Sequence, residues 1–303
     1  MRLGAHIGIA NGLSEAVGQG KAIGCEAIQI FSKSPHMWDG PPIAPDAAAG
    51  FRAAVAAERS FGTAVHNGYL VNLASPKVFL LRKSRKAFLD EIQRAELLGV
   101  DGLIFHPGAH VGSGPEAGLR TIAESVRKAL EAVPDGRVRL LLENAAGQGT
   151  ALCASFEELS TVLAAIDAPD RVGVALDTCH LFAFGNDFRT ADGYGQLVER
   201  IDATIGTEAV RAFHLNDARA ALGSHRDLHE NIGKGEIGRD GFAHLVSDRR
   251  WATVPGYLEI PLDDRGYDRY AEDLAVLRSL VAPASRGKTP TRRASPPETG
   301  EVR

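Results

Sequence analysis

From about residue 2 to residue 281 the chain alternates between two patterns. Short apolar runs of β type end in polar residues, and longer stretches with helical spacing follow them. The runs predict strands at 2–7, 27–31, 63–66, 102–106, 139–143, 172–177, 210–215 and 255–260. The clearest helix is predicted over 75–98, where Ser75-Pro76 offers an N-cap and a first-turn proline and Gly99 offers a stop. Ser155-Phe156-Glu157-Glu158 predicts a second helix start through a capping box. Eight strand–helix units imply an α/β fold, a (β/α)8 TIM barrel, with a doubly wound open sheet as the structural alternative. From Ala282 onward the sequence is rich in Pro, Ser, Thr and Arg, with no large apolar residue before Val302. It reads as a disordered tail, so the expected organisation is a barrel domain over 1–281 and a tail over 282–303. The basic cluster in that tail (Arg286, Lys288, Arg292, Arg293) reads as solvated charge rather than as a nucleic-acid contact.

Composition narrows the class. The 303 residues are 44% hydrophobic and 24% charged, ample for a buried core. Cys25, Cys153 and Cys179 are scattered and form neither a disulfide framework nor a thiolate zinc motif. The expected location is therefore intracellular, in the cytoplasm. No apolar run approaches the roughly 18 residues of a membrane helix, and the first twenty residues lack the continuous apolar stretch of a signal peptide. The net charge of -4 counts mildly against a nucleic-acid partner. Divalent ions would reverse that balance locally.

The chemistry gathers where the strands end. His66, His106, Glu143, Asp177, His214 and Glu259 fall at or near the ends of the third to eighth expected strands. His180 follows Asp177 by three residues, and Asp227 and His229 lie in the loop SHRDLHENIG after the seventh strand. Strand C-terminal ends of a barrel converge on one mouth, so nine His or carboxylate side chains would share one cavity. This donor set, without thiolate, suits zinc in a catalytic site, or manganese or iron. Four carboxylates in one cavity need cations to stay ionised together, and three divalent ions would make the site attractive to phosphate. Taken singly, each residue has a structural reading as well; Asp177, for example, reads equally as a helix cap. His110 is set aside because Pro107-Gly108 opposes a helix there. Cys179 reads as a small buried thiol, and His244 as a structural or surface residue on a helix. His6 is expected on the cavity floor or in the barrel wall, and His225 beside the loop ligands.

At these residues the chain resembles a known family. GAHIG, VHNGYLVNLASP, FHPGAH, LLLENAAGQG, DTCHLFAFG, HLND and HENIGKGEIG are similar, in order and spacing, to the endonuclease IV family of abasic-site endonucleases, from Leu3 to about Val281. The resemblance implies a TIM barrel with three zinc ions, manganese being admissible at one position. It implies His66, His106 and Glu143 as the first zinc's ligands. It implies Glu143, Asp177, His214 and Glu259 for the second, with Glu143 bridging, and His180, Asp227 and His229 for the third. The implied activity is metal-assisted hydrolysis 5′ of an abasic site in double-stranded DNA, with Glu143 orienting the attacking water. It leaves a 3′-hydroxyl and a 5′-deoxyribose phosphate, and blocked 3′ ends are trimmed as well. Tyr69 and Leu70 match the family's minor-groove wedges, and a monomer is implied.

This chain departs from the pattern at Ser34 and His36, where the family has Asn and an Arg that fills the base stack. Leu228 replaces the Arg of Asp-Arg-His, removing a phosphate contact; Ile260 replaces a Thr, and Ala218-Arg219 replaces Ser-Lys. All nine ligands remain. Two other function classes stay in view. A sugar isomerase or epimerase on a related barrel would use Glu143, Asp177, His214 and Glu259 but leave five ligands idle. A damage-binding protein without turnover is the other, motivated by His36 and Leu228.

Overall fold

The computed structural model describes residues 1–261 and 264–281. The tail expected to be disordered lies outside these residues. Among the described residues, eight parallel strands close into a barrel. They are β1 (Arg2–His6), β2 (Ala27–Phe31), β3 (Gly62–His66), β4 (Gly102–Phe105), β5 (Arg139–Glu143), β6 (Val172–Asp177), β7 (Val210–His214) and β8 (Pro255–Leu258). Each pairs with its sequence neighbours, and β8 closes the ring on β1 with Arg2 opposite Pro255. A closed ring excludes the open-sheet alternative. The expected strands lie where the sequence placed them, ending within two residues of the observed ends.

Alternation within each strand separates two environments. On β5, Leu140 and Leu142 join the core between barrel and helices, whereas Leu141 belongs to the cluster inside the ring. That inner cluster is Ala27, Ala64, Ile104, Leu141, Ala175, Ala212 and Tyr257. Glu143, two residues after Leu141, continues the inward series at the mouth. The outer layer is built from α1 (Leu13–Ala22), α2 (Pro45–Ala56), α3 (Val78–Leu98), α4 (Pro115–Ala132), α5 (Phe156–Ile166), α6 (Thr178–Phe184), α7 (Ala191–Thr204), α8 (Gly238–Ser247) and α9 (Asp268–Leu280). Phe88 of α3 packs on Phe105 of β4 with ring centres 4.7 Å apart, and truncating so buried an aromatic costs about 3–5 kcal/mol.

Caps explain several helix starts. Ser155 Oγ accepts from Glu158 N–H, and Glu158 Oε2 reaches back to Ala154 N–H, close to the expected capping box. The start of α3 differs from expectation: Ser75 Oγ accepts from Lys77 N–H inside a turn, and the helix begins at Val78 without a side-chain cap. Gly99 ends that helix in the left-handed region, at φ 68°. A two-residue antiparallel ribbon, Asp217–Ala218 against His229–Glu230, was not expected; it pins the loop after β7 across the mouth. No helix among the described residues is long and apolar enough to cross a membrane.

Candidate metal centre

The barrel brings the nine expected side chains to one end. Glu143 sits at the centre, almost wholly buried. Its Oε2 faces His66 Nε2 at 3.2 Å and His106 Nδ1 at 3.5 Å, and its Oε1 faces His214 Nδ1 at 2.9 Å and His180 Nδ1 at 3.5 Å. Glu259 Oε2 lies 3.1 Å from His214 Nδ1. Asp227 spans two histidines, with Oδ2 3.1 Å from His180 Nε2 and Oδ1 3.0 Å from His229 Nε2. Asp177 Oδ2 stands 3.6 Å from His229 Nε2 and 3.8 Å from His214 Nδ1. Five imidazoles form a continuous row, His214–His66–His106–His180–His229, with neighbouring ring centres 5.4–5.9 Å apart.

Donor atoms within 4.8 Å of one another fall into sets that could hold an ion: His66, Glu143, His214 and Glu259; Glu143, Asp177 and His180; Asp177, Cys179 and His229, in which the thiol joins two expected donors; and His180, Asp227 and His229. The last is the expected third group. The first and second expected groups run together around Glu143. His106, with its side chain 40% exposed, stands at the rim outside these sets.

A shared device orients the histidines. His66 Nδ1–H donates to Asn67 O at 2.8 Å, His180 Nδ1–H to Asn144 O at 2.8 Å and His229 Nδ1–H to Glu259 O at 3.2 Å. Each leaves Nε2 free to face a carboxylate. His214 uses the opposite tautomer: Nε2–H donates to Gln29 Oε1 at 2.9 Å and Nδ1 faces the acids. Nε2 of His180 and of His229 are both buried without a hydrogen bond. A buried ring nitrogen aimed at carboxylates yet unbonded is what a cation between them would satisfy, so the residues fit divalent ions.

Electrostatics point the same way. Burial opposes ionisation of Glu143, but His106, His214 and His66 outweigh it and hold its carboxyl well below the usual range. Burial likewise opposes the charged form of His214 and His229. Glu259 and Glu143 raise the first to about 9, and Asp177 and Asp227 raise the second to about 9. His180 is raised strongly by Asp177 and Asp227 against its burial. The carboxylates thus hold positive charge in this cavity even as protons.

Four polar residues behind the donors were missed by the sequence reading. Gln29, fully buried on β2, accepts from His214, contacts His6 Nδ1 at 3.0 Å and donates to Glu259 Oε1. Its signal was a lone amide in the apolar strand AIQIF. Asn216 Nδ2 donates to Asp177 Oδ2 at 2.6 Å, and its Oδ1 accepts from Glu259 N–H. Asn144 Oδ1 accepts from Asp177 N–H, and Thr178 Oγ1 donates to Asn216 O. Asp177 is both a site residue and a helix cap, its Oδ1 accepting from His180 N–H. His6 packs on Phe31 and reaches Glu259 at 3.5 Å, so it lines the cavity. Cys179 is buried, its thiol pushed up by burial and donating to Leu228 O. His110 Nδ1 accepts from Gly112 and Gly114 N–H before α4, His244 stacks on Tyr194, and His225 contacts Ala146 O.

Two lobes open above the cluster. One, about 460 Å³, is lined by His6, Phe31, Tyr69, Arg219, His229 and Glu259; the other, about 310 Å³, by Tyr69, His106, Ala145 and His180. Asp227 lines both. Tyr69 is 56% and Leu70 37% exposed, and the His36 ring lies 5.4 Å from that of Tyr69. The expected DNA contacts thus share one rim.

Residues 17–280 match the family described as xylose isomerase-like TIM barrel. A probable endonuclease 4 from Chloroflexus aurantiacus is 41% identical over 281 residues, covering 92% of this chain and 98% of that protein. The chain belongs to the endonuclease IV family. It is accordingly a nuclease, a hydrolase. The crystal structure of endonuclease IV from Thermus thermophilus superposes with a TM-score of 0.81 at 34% identity, covering 92% of this chain and 98% of that one. A D-tagatose 3-epimerase-like protein has a TM-score of 0.69 at 18% identity, over 92% of this chain and 97% of that one. That likeness is one of fold alone.

Proposed function

We propose that the chain is a zinc-dependent DNA-repair endonuclease that hydrolyses the phosphodiester 5′ of abasic sites in double-stranded DNA. It leaves a 3′-hydroxyl and a 5′-deoxyribose phosphate and also trims blocked 3′ ends. The observation that carries this reading is the row of five histidines facing four carboxylates, in which His66, His180, His214 and His229 each have one ring nitrogen tied back and the other turned to the acids. In this proposal His66, His106, Glu143, Asp177, His180, His214, Asp227, His229 and Glu259 hold three divalent ions. Manganese is admissible at one position.

When bound, divalent ions supply charge against phosphodiester oxygens and make water nucleophilic near neutral pH. The chain's residues do the rest. Glu143 stays ionised and orients the attacking water between the His66 and His214 sides of the cavity. Tyr69 and Leu70 enter the space left by the extruded nucleotide, where no base is stacked to oppose extrusion. His36 flanks Tyr69 at the place the family fills with Arg. Arg219 lines the mouth and is anchored by Glu230 at 3.3 Å, so it supplies a cation near the position where Leu228 lacks one. The unit at work is the barrel over 1–281, as a cytoplasmic monomer.

The test combines metal analysis with cleavage of a duplex oligonucleotide carrying one abasic analogue. Near three zinc per chain, with a single cut 5′ of the lesion lost in Glu143→Gln, is expected. One metal and no cut would overturn the proposal. A sugar epimerase would leave His66, His106, His180, Asp227 and His229 without work, and the arrangement gives no reason for them there.

A further inference from the structure

The other end of the barrel holds a second charged cavity. The pit at the N-terminal ends of the strands has a volume of about 210 Å³. Barrel interiors are normally filled by layers of branched side chains. Here Gly62, Gly102 and Gly173 stand beside Ala64 and Ala212 on strands that line the interior, and the filling is incomplete.

Three arginines reach this pit. Arg139 is two residues before Leu141 of the inner cluster and has the same inward parity. Arg2 has the inward parity of His6 on β1 and is tied to Thr253 O and Ser60 O. Arg211 arrives by a different route. Between β6 and β7 the register jumps, with Val174 opposite Val210 but Ala175 opposite Ala212. Arg211 is therefore the extra residue of a bulge, a device that re-aims a side chain. Its stem lies over Gly173, where an added Cβ would come within 2.8 Å of Arg211 Cγ.

Arg139 and Arg211 have no ion pair among the described residues. The nearest acid of the pit, Asp101, is engaged by Thr63 N–H and Oγ1. Beneath them lies Tyr257, 1% exposed, whose hydroxyl has no hydrogen-bond partner among the described residues. Burial, and then Asp101, push that phenol above its ordinary value, so it remains a donor. Two arginines without an ion pair and a hydroxyl without a protein partner thus line one pit and can turn to a shared anion. We propose that this pit is a binding site for a phosphate-type oxyanion, held by Arg139, Arg211 and Arg2 with Tyr257 donating from the floor. It lies at the opposite end of the barrel from the nuclease cavity, so it is a ligand site separate from the reaction.

Calorimetric titration of inorganic phosphate into the zinc-loaded full chain, against chloride at equal ionic strength, tests this. The comparison is Arg139→Gln/Arg211→Gln. The double variant is expected to lose one equivalent of bound phosphate, to cleave damaged DNA as before, and to melt no lower than wild type without phosphate. Tyr257→Phe, which keeps both charges, is expected to weaken that equivalent about fivefold, the worth of about one hydrogen bond. Unchanged stoichiometry and affinity in both variants would overturn the site. So would a double variant that melts several degrees lower without phosphate, since the arginines would then be structural.

Discussion

At the residue scale the site depends on which nitrogen each histidine offers. Glu143→Gln keeps size but removes the charge that orders His66, His106 and His214, and cleavage should fall about a thousandfold. Single-turnover kinetics on an abasic duplex would show it; a loss below tenfold would remove Glu143 from the chemistry. Gln29→Leu takes the acceptor from His214 Nε2–H and a donor from Glu259. Zinc affinity should fall about 10–100-fold, measured by chelator competition; unchanged affinity would mean that Gln29 does not orient the cluster. Arg219→Ala should raise KM about tenfold with kcat nearly constant, as for a group that binds substrate and transition state alike. A fall in kcat with constant KM would place Arg219 in the chemical step instead. The nine ligand candidates were legible because His and carboxylates at strand ends are chemically conspicuous. Gln29 and Asn216 were not, because an amide shows its role only when its partners are known.

At the element scale, local signals held where the partners are local. Ser155 caps α5 and Asp177 caps α6 because acceptor and N–H lie three residues apart. The start of α3 was misplaced because Asn72 and Ser75 fold into a turn fixed by Ala109 and Ser84, far along the chain. The loop after β7 is held mainly by Asp217, which accepts from the N–H groups of Ala218, Gly233, Gly235 and Ile237. Asp217→Ala strands these donors, and a cost of about 3 kcal/mol is expected. That corresponds to a melting temperature lower by roughly 6–12 °C, read by calorimetry. A shift under about 2 °C would mean that water replaces the carboxylate at no cost.

At the scale of the whole molecule, protons and metal compete for one cluster. In the metal-free chain His214 and His229 are raised from 6.5 to about 9. Groups raised in this way stabilise the fold fully below pH 6.5, and the contribution is lost as pH climbs through about 9. Glu143 and Glu259, held low by these histidines against their burial, act in the opposite window and matter only on acidification below about pH 4.5. The chelated protein should therefore lose stability between pH 6.5 and about 9. The zinc-loaded protein should not, because its ligands are already neutral imidazoles. Melting curves of both forms across that range decide it; parallel curves would show that the histidines do not exchange protons for metal.

The sequence by itself determined the repeating strand–helix order, since the period of apolar residues depends on local geometry. It also named the nine His and carboxylate side chains that the barrel gathers at one end, since residue types and their place at strand ends survive without coordinates. Tertiary structure decided the rest. Closure of β8 on β1 turned eight strand ends into one cavity. Parity and register chose which side of each strand faced the axis, and a single bulge brought Arg211 to the lining of the pit at the barrel's far end. These outcomes rest on contacts between residues far apart in the chain, and no local pattern encodes them.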